Sequence, residues 1–313
     1  MWEKITTDIR YLEEESYGFV SGRIRVREKF FLNKEKYESL LNCETPERFV
    51  LSLADTPYAQ FKEKSLLEII RAAEWENHSF LKEYANQKIL PLLLFPFDLH
   101  NIKLFRKGEI LSQDLSLYSS PFGYFPYGDF PLEIKAMMKE ATSDDDLEVR
   151  FFSYIYSQSA PFPFLAEYLS FLSDVKNILA LLRVIKFRLT DYLFLSHSHL
   201  GSDFFRDLLK EAISSSNLSG ILGKFPSPYQ EILREVGPFL FEGNLGFLRL
   251  ERRLGSFISL FLRSVRYLPY GYEVLAAYYL LKRQEIENIH RIYLSRFQYN
   301  ITDSAILREM VII

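Results

Sequence analysis

The sequence predicts an all-α fold built from three similar helical repeats. Leucine occurs 48 times in the 313 residues, whereas valine occurs 10 times and threonine 7 times, so the β-branched residues favoured in strands are scarce. Apolar residues recur every three or four positions through long stretches without glycine or proline, as in amphipathic helices. A short polar motif also occurs three times in similar helical settings, which is typical of an internal repeat.

Three long helices are expected along the chain. The first covers residues 66–90 and is ended by Pro91, the second covers 165–189, and the third covers 273–297. Residues 119–131 (SSPFGYFPYGDFP) hold three prolines and two glycines and must form a loop. No connection has the length and simple composition of a flexible linker, so we expect one continuous helical body.

Composition excludes several classes of protein. Lys+Arg 38 against Asp+Glu 41 gives a net charge of −3, so the basic excess of a nucleic-acid-binding protein is missing. A single cysteine excludes an internal disulfide framework. No stretch approaches the roughly 18 consecutive apolar residues of a membrane span, and the first residues lack the apolar block of a signal peptide. A soluble intracellular protein is the expectation.

The repeated motif reads acid-x-x-Asn-Ile, and we call its two polar residues a polar pair. The first, second and third polar pairs are Asp98 with Asn101, Asp174 with Asn177, and Glu285 with Asn288. Residues at i and i+3 share a helix face, and each acid lies on the apolar stripe of its helix. All six side chains are therefore expected to point into the packing, where a carboxylate requires partners.

Two interpretations of the polar pairs are open. In the functional one, three inward-facing acids line a central site for a cation or for the basic end of a partner. In the structural one, each pair bonds the backbone of a neighbouring helix terminus and fixes how one repeat docks on the next. We favour the structural interpretation, because buried polar groups usually have structural partners.

The repeats are expected to divide the chain into residues 1–110, 111–190 and 191–313. A weaker similarity supports this division, because each polar pair is preceded by a helix end, a small polar start and a short helix. The boundaries are approximate, since the repeats form one body.

Sequence motifs for catalysis and for ligand binding are missing. The chain contains no Walker loop, no GxSxG and no HExxH. Its five histidines do not form a metal-binding set, and the acids at 144–146 are expected to cap a helix rather than to bind calcium. We therefore predict no catalytic residue, no cofactor and no metal site.

The loop at 119–131 carries a candidate partner contact. The residues of this candidate contact are Phe122, Tyr124, Phe125 and Tyr127. Aromatic residues among prolines and glycines either anchor a partner or fold back onto their own core, and the sequence leaves both alternatives open.

Four segments of the chain carry motifs of one known family. Residues 17–28 (YGFVSGRIRVRE) form a Tyr-rich, Arg-containing start, and residues 53–58 (LADTPY) form an L-x-x-T-x-Y segment. Asp98 opens a D-x-x-N-hydrophobic-K helix start, and residues 273–291 form a C-terminal block in which an acid precedes Asn and Arg. In these segments the chain resembles the C subunit of archaeal and bacterial V/A-type ATPases (V-type ATP synthases), the counterpart of the d subunit of the eukaryotic V-ATPase. The similarity extends over nearly the whole chain.

The resemblance implies a funnel of three helical units around a pseudo-threefold axis. It further implies a non-catalytic adaptor, monomeric in isolation, that sits at the cytoplasmic face of the membrane. There the family joins the rotor-shaft subunits to the proteolipid ring and touches the membrane only through that ring. Two alternatives are an unrelated helical scaffold for soluble proteins and an enzyme whose site is built from scattered carboxylates and histidines.

Overall fold

The structure is a computed structural model that describes residues 16–61, 65–189, 192–215, 218–240 and 245–312. Within these ranges the regular elements are helical and no strand occurs, so the predicted all-α fold is confirmed. The α-helices, in chain order, are α1 (Ser16–Arg27), α2 (Lys34–Leu41), α3 (Pro46–Leu51), α4 (Leu66–Tyr84), α5 (Leu90–Leu111), α6 (Leu132–Glu140), α7 (Asp144–Gln158), α8 (Pro163–Phe187), α9 (Ser202–Ser215), α10 (Leu218–Leu222), α11 (Tyr229–Val236), α12 (Leu245–Arg263), α13 (Tyr272–Tyr293) and α14 (Ser304–Glu309).

The helices group into two compact units. Unit 1 contains α5 to α9, and unit 2 contains α1 to α4 together with α10 to α14. Unit 2 is therefore built from two separate parts of the chain. None of the described helices combines the length and the apolar character needed to cross a membrane. The division into three repeats at 1–110, 111–190 and 191–313 stays a prediction.

The predicted helix over 66–90 is shorter than expected. Helix α4 ends at Tyr84, and α5 begins at Leu90 with Pro91 in its first turn. The N–H groups of a first turn have no acceptor within their own helix, so proline loses nothing there and its fixed φ suits the helix. Pro91 therefore opens the next helix, and the assumption that it ends the preceding one was wrong.

Helix α7 packs between the two long helices of unit 1. The rings of Phe95 on α5 and Phe152 on α7 meet edge to face, with centroids 5.9 Å apart. Glu148 on α7 accepts hydrogen bonds from Lys103 on α5 at 2.6 Å and from Lys176 on α8 at 2.7 Å. Two basic side chains from different helices thus share one carboxylate, which fixes α5 and α8 against α7.

Helix α13 is the central element of unit 2. It packs mainly against α4 and α1, and the Asn77 amide on α4 donates to the carbonyl of Tyr279 on α13 at 3.1 Å. One face of α13 joins a cluster of buried side chains from α2, α3, α4 and α14. Helix α13 is therefore enclosed largely by residues from the beginning of the chain.

Candidate functional site

The six side chains of the polar pairs are all buried. The most exposed of them, Glu285, keeps 4% of its surface accessible, and the others keep 0–1%. The first pair lies on α5, the second on α8 and the third on α13. Helical phase places them on the packed face, as the stripe of apolar neighbours predicts.

Each asparagine holds one later residue by both of its backbone groups. The side-chain oxygen accepts from the N–H of that residue, and the side-chain amide donates to its carbonyl. The contacts, with the N–H bond first, are Asn101 with Ser120 (2.7 and 2.9 Å), Asn177 with Leu195 (2.9 and 3.0 Å) and Asn288 with Ile312 (3.1 and 2.6 Å). The same side chain therefore makes the same contact three times.

The two aspartates bind the loops that their asparagines hold. Asp98 accepts from the N–H of Phe125 at 3.0 Å, and Asp174 accepts from the N–H of Leu200 at 3.2 Å. Both donors lie five residues beyond the residue that the asparagine holds (120 to 125, and 195 to 200). Each pair thus fixes two points of one loop, and the loop follows the helix that carries the pair.

The glutamate of the third pair makes a different set of contacts. Its Oε2 accepts from the N–H of Leu32 at 2.5 Å, and its Oε1 accepts from the Tyr58 hydroxyl at 2.8 Å and from Lys282 at 2.6 Å. Burial and the negative charge of Glu285 raise the pKa of Tyr58 well above its usual value. The tyrosine therefore stays neutral and continues to donate its proton to the carboxylate.

Gly123 allows the first loop to approach its helix closely. A Cβ atom at this position would lie 2.7 Å from Asp98 Oδ1 and 3.1 Å from Asn101 Nδ2. The first distance is shorter than real Cβ contacts, so any larger residue would have to displace the loop or the carboxylate. A glycine is thus required where the loop crosses the first polar pair.

The helices that carry the polar pairs also end in the same way. The backbone turns left-handed at Ser112, Arg188 and Asn300, with a φ of 53° at each. At each end, the N–H of the residue after the left-handed one (113, 189 and 301) donates to the carbonyl of residue 108, 184 or 295, at 3.0, 3.0 and 2.9 Å. Each of these carbonyls lies ten positions after the acid of its polar pair. The third end is one residue longer because the π-helical turn Leu294–Gln298 precedes it.

Sequence reasoning missed these helix ends and the residues that the asparagines hold. The usual signal for a left-handed helix end is glycine or asparagine, and serine and arginine give none. The ends at Ser112 and Arg188 can be found from the sequence only by counting from the acid of each pair, whereas Asn300 carries the usual signal. Taken together, the polar pair, the left-handed residue and the returning loop form one structural pattern that occurs three times.

The aromatic loop packs largely on its own helix. The ring of Phe122 lies 5.5 Å from that of Phe97, and the ring of Tyr127 lies 5.6 Å from that of Phe105, both on α5. The remaining loop aromatics, Tyr124 and Phe125, stack edge to face on each other at 5.0 Å. All four stay partly exposed, so their role as a partner contact stays a prediction.

A buried carboxylate that forms no ion pair with the described residues lies at the start of α13. Glu273 is 1% exposed, and its side chain folds back over Gly271, whose φ of 135° only glycine adopts readily. Burial raises the pKa of this carboxyl from 4.5 to about 7. The charge state of Glu273 therefore changes near neutral pH.

The third polar pair borders a small cavity of about 190 Å³. Its lining includes buried Tyr37, Glu285 and Asn288 and exposed Arg263 and Arg266. Ligand pockets usually measure about 300–1,000 Å³, so this one is too small for a nucleotide. Among the described residues, no group of three or more His, Cys, Asp or Glu side chains could hold a metal ion. Each of the three acids accepts a backbone N–H, and Glu285 also accepts from the Tyr58 hydroxyl and from Lys282.

A protein-family model matches this chain. The sequence model of the family described as ATP synthase (C/AC39) subunit matches residues 20–145 and, in a second overlapping match, residues 126–309. Two matches along one chain agree with a repeated helical arrangement. Comparison with curated proteins gives no match.

Proposed function

The chain belongs to the ATP synthase (C/AC39) subunit family, a family of non-catalytic subunits of V/A-type ATPases, and we propose that it is the rotor adaptor of such a complex. In this role it links the rotor-shaft subunits to the membrane proteolipid ring. It works at the cytoplasmic face of the membrane and contacts the membrane only through the ring. It has no active site of its own and is a monomer before assembly.

The family match over residues 20–309 carries this proposal. The contacts of the polar pairs support it, because an adaptor that transmits torque must not deform under load. Each pair ties a loop or a distant segment to a long helix through at least three hydrogen bonds to backbone groups. Buried hydrogen bonds of this kind are costly to break, so each polar pair stiffens the connection that it makes.

The proposal is tested by reconstitution. Purified chain is mixed with the detergent-solubilised proteolipid ring and with the shaft subunits, and complexes are separated by size-exclusion chromatography. We expect ring and shaft to co-elute only when the chain is present. When all other subunits of the ATPase are reconstituted in vesicles and only this chain is left out, ATP should still be hydrolysed but no ion transport should be driven.

Two outcomes would contradict the adaptor role. In the first, ring and shaft associate equally well without the chain. In the second, the chain binds neither of them and is recovered with other soluble proteins, as expected of an unrelated helical scaffold. Gene neighbourhood is a faster check, because an adaptor should be encoded beside the nucleotide-binding, shaft and proteolipid subunits.

A further inference from the structure

Each of the three repeated helix ends carries an exposed, large apolar side chain. Leu111, Phe187 and Tyr299 directly precede the left-handed residues and are 49%, 65% and 70% exposed. We call these three the tip residues. Because each occupies the same position in its copy of the structural pattern, their exposure is a property of the repeat.

The helix ends do not need these side chains for their own stability. In a helix end of this type, the apolar contact that accompanies the turn joins the residue after the left-handed position to the helix three or four positions before its end. The residue directly before the left-handed position takes no part in that contact. Single exposed apolar residues are common on protein surfaces, but scattered exposure does not predict the same position three times.

Two of the tip residues lie at the same end of unit 1. Helices α7 and α8 are joined by only four residues, at 159–162, and therefore run in opposite directions. Helix α5 also runs opposite to α7, since Phe95 meets Phe152 and, further along α5, Lys103 reaches Glu148. Helices α5 and α8 are thus parallel, and both end beside the start of α7.

The surroundings of these two tips are apolar and carry charges of both signs. Ile110 next to the first tip is 70% exposed, and Leu189 close to the second is 49% exposed. Lys107 and Arg188 are exposed at the same helix ends, and so are the acids Glu109, Asp144 and Asp145. Such a surface suits a protein partner that offers small apolar groups among polar ones.

We propose that the tip residues are three equivalent contact points for a partner that is itself built from repeated subunits. This inference rests on the proposed function, and under it the partner is the proteolipid ring. A partner with a single binding site would engage one copy and leave the other two without a reason to expose the same group. The aromatic loop of 122–127, by contrast, belongs to the first copy alone.

Equivalent contacts give a characteristic pattern of losses on mutation. Each tip buries one apolar side chain, whose loss weakens binding by about 5-fold if it removes roughly 1 kcal/mol. Contacts that share no neighbours add in free energy, so removal of all three should weaken binding about 100-fold. A single dominant anchor would place the whole loss in one variant.

The test uses Leu111→Ser, Phe187→Ser and Tyr299→Ser, alone and combined, in the full chain. Leu51→Ser is the matched control, since Leu51 is 70% exposed but precedes no left-handed helix end. Circular dichroism verifies the fold of each variant, and biolayer interferometry measures its affinity for the immobilised ring. Vesicles of the same lipids without the ring serve as a second binding surface.

We expect three similar single losses, a multiplied triple loss, a control within 2-fold of the wild type, and no binding to vesicles alone. Wild-type affinity in the folded triple variant would overturn the inference and leave the adaptor role intact. So would a loss confined to one tip, or binding to bare vesicles that depends on the tips. A wild-type chain that does not bind the ring would overturn the adaptor role and the inference together.

Discussion

Replacing Asn177 by leucine tests whether a polar pair holds its loop on the helix. Asn177 is 1% exposed and Leu195 is 5% exposed, so both hydrogen bonds between them are shielded from water. Leucine has the same number of side-chain heavy atoms as asparagine and the same branching, but it cannot form either bond. The N–H and the carbonyl of Leu195 would both lose their partner at about 1–3 kcal/mol each, so the variant should lose about 2–6 kcal/mol of unfolding free energy.

Two measurements check this expectation. Denaturation in urea, followed by circular dichroism, gives the change in midpoint and slope. Hydrogen exchange at the amide of Leu195 gives the local effect, which should be a loss of protection in the variant. Ser173→Ala is the matched control, because Ser173 lies on the same helix, is 0% exposed, and has a hydroxyl without a hydrogen bond to the described residues.

The third polar pair provides an internal ranking. Asn288→Leu removes the same two bonds and a longer one to the Tyr37 hydroxyl at 3.4 Å, but the residue it holds, Ile312, is partly exposed and can be solvated by water. Its loss should therefore be smaller than that of Asn177→Leu. The reasoning is refuted if Asn177→Leu lies within about 0.5 kcal/mol of the Ser173→Ala control while the amide of Leu195 stays protected.

Three further predictions concern Glu273, Gly123 and the aromatic loop. Because the pKa of Glu273 is raised in the folded protein, the protonated carboxyl contributes to stability below pH 4.5, and this contribution is lost as the pH rises through about 7. The free energy of unfolding should therefore fall by about 3 kcal/mol between pH 4.5 and pH 8. Urea titrations at these two pH values should show this fall in the wild type and not in Glu273→Gln. Gly123→Ala should cost about 1–3 kcal/mol in the same assay, since its Cβ would overlap a buried carboxylate. Replacing Phe122, Tyr124 and Phe125 together by alanine should weaken assembly with the ring or the shaft in pull-downs, while the circular dichroism spectrum remains that of the folded protein. If the variant loses its fold instead, the loop belongs to the core.

The sequence predicts the fold class, the long helices and the positions of the polar pairs because all three depend on the local periodicity of apolar residues. This periodicity is visible in one amino-acid sequence. The spacing of Asp174 and Asn177 from their apolar neighbours is enough to place both side chains in the packing. Burial is thus readable from the sequence, and the identity of the buried partner is not.

The partners escape prediction because they lie in loops. Leu195 and Leu200 belong to a segment without helical or strand periodicity, and nothing in their side chains marks their N–H groups as donors to a helix 18 to 26 residues away. Pro91 escapes for a different reason. Proline is compatible with the first turn of a helix and incompatible with its interior, so its meaning depends on which helix it belongs to.

The third polar pair shows how one motif serves two different connections. In the first two pairs an aspartate reaches the loop that follows its own helix. In the third, a glutamate, longer by one methylene group, reaches Leu32 and Tyr58 from the beginning of the chain, while Asn288 holds Ile312 near its end. Unit 2 is assembled from two distant parts of the sequence, and the third pair on α13 bonds both of them, since Glu285 reaches the first part and Asn288 the second. The acid that makes the connection to the beginning of the chain is thus the one with the longer side chain.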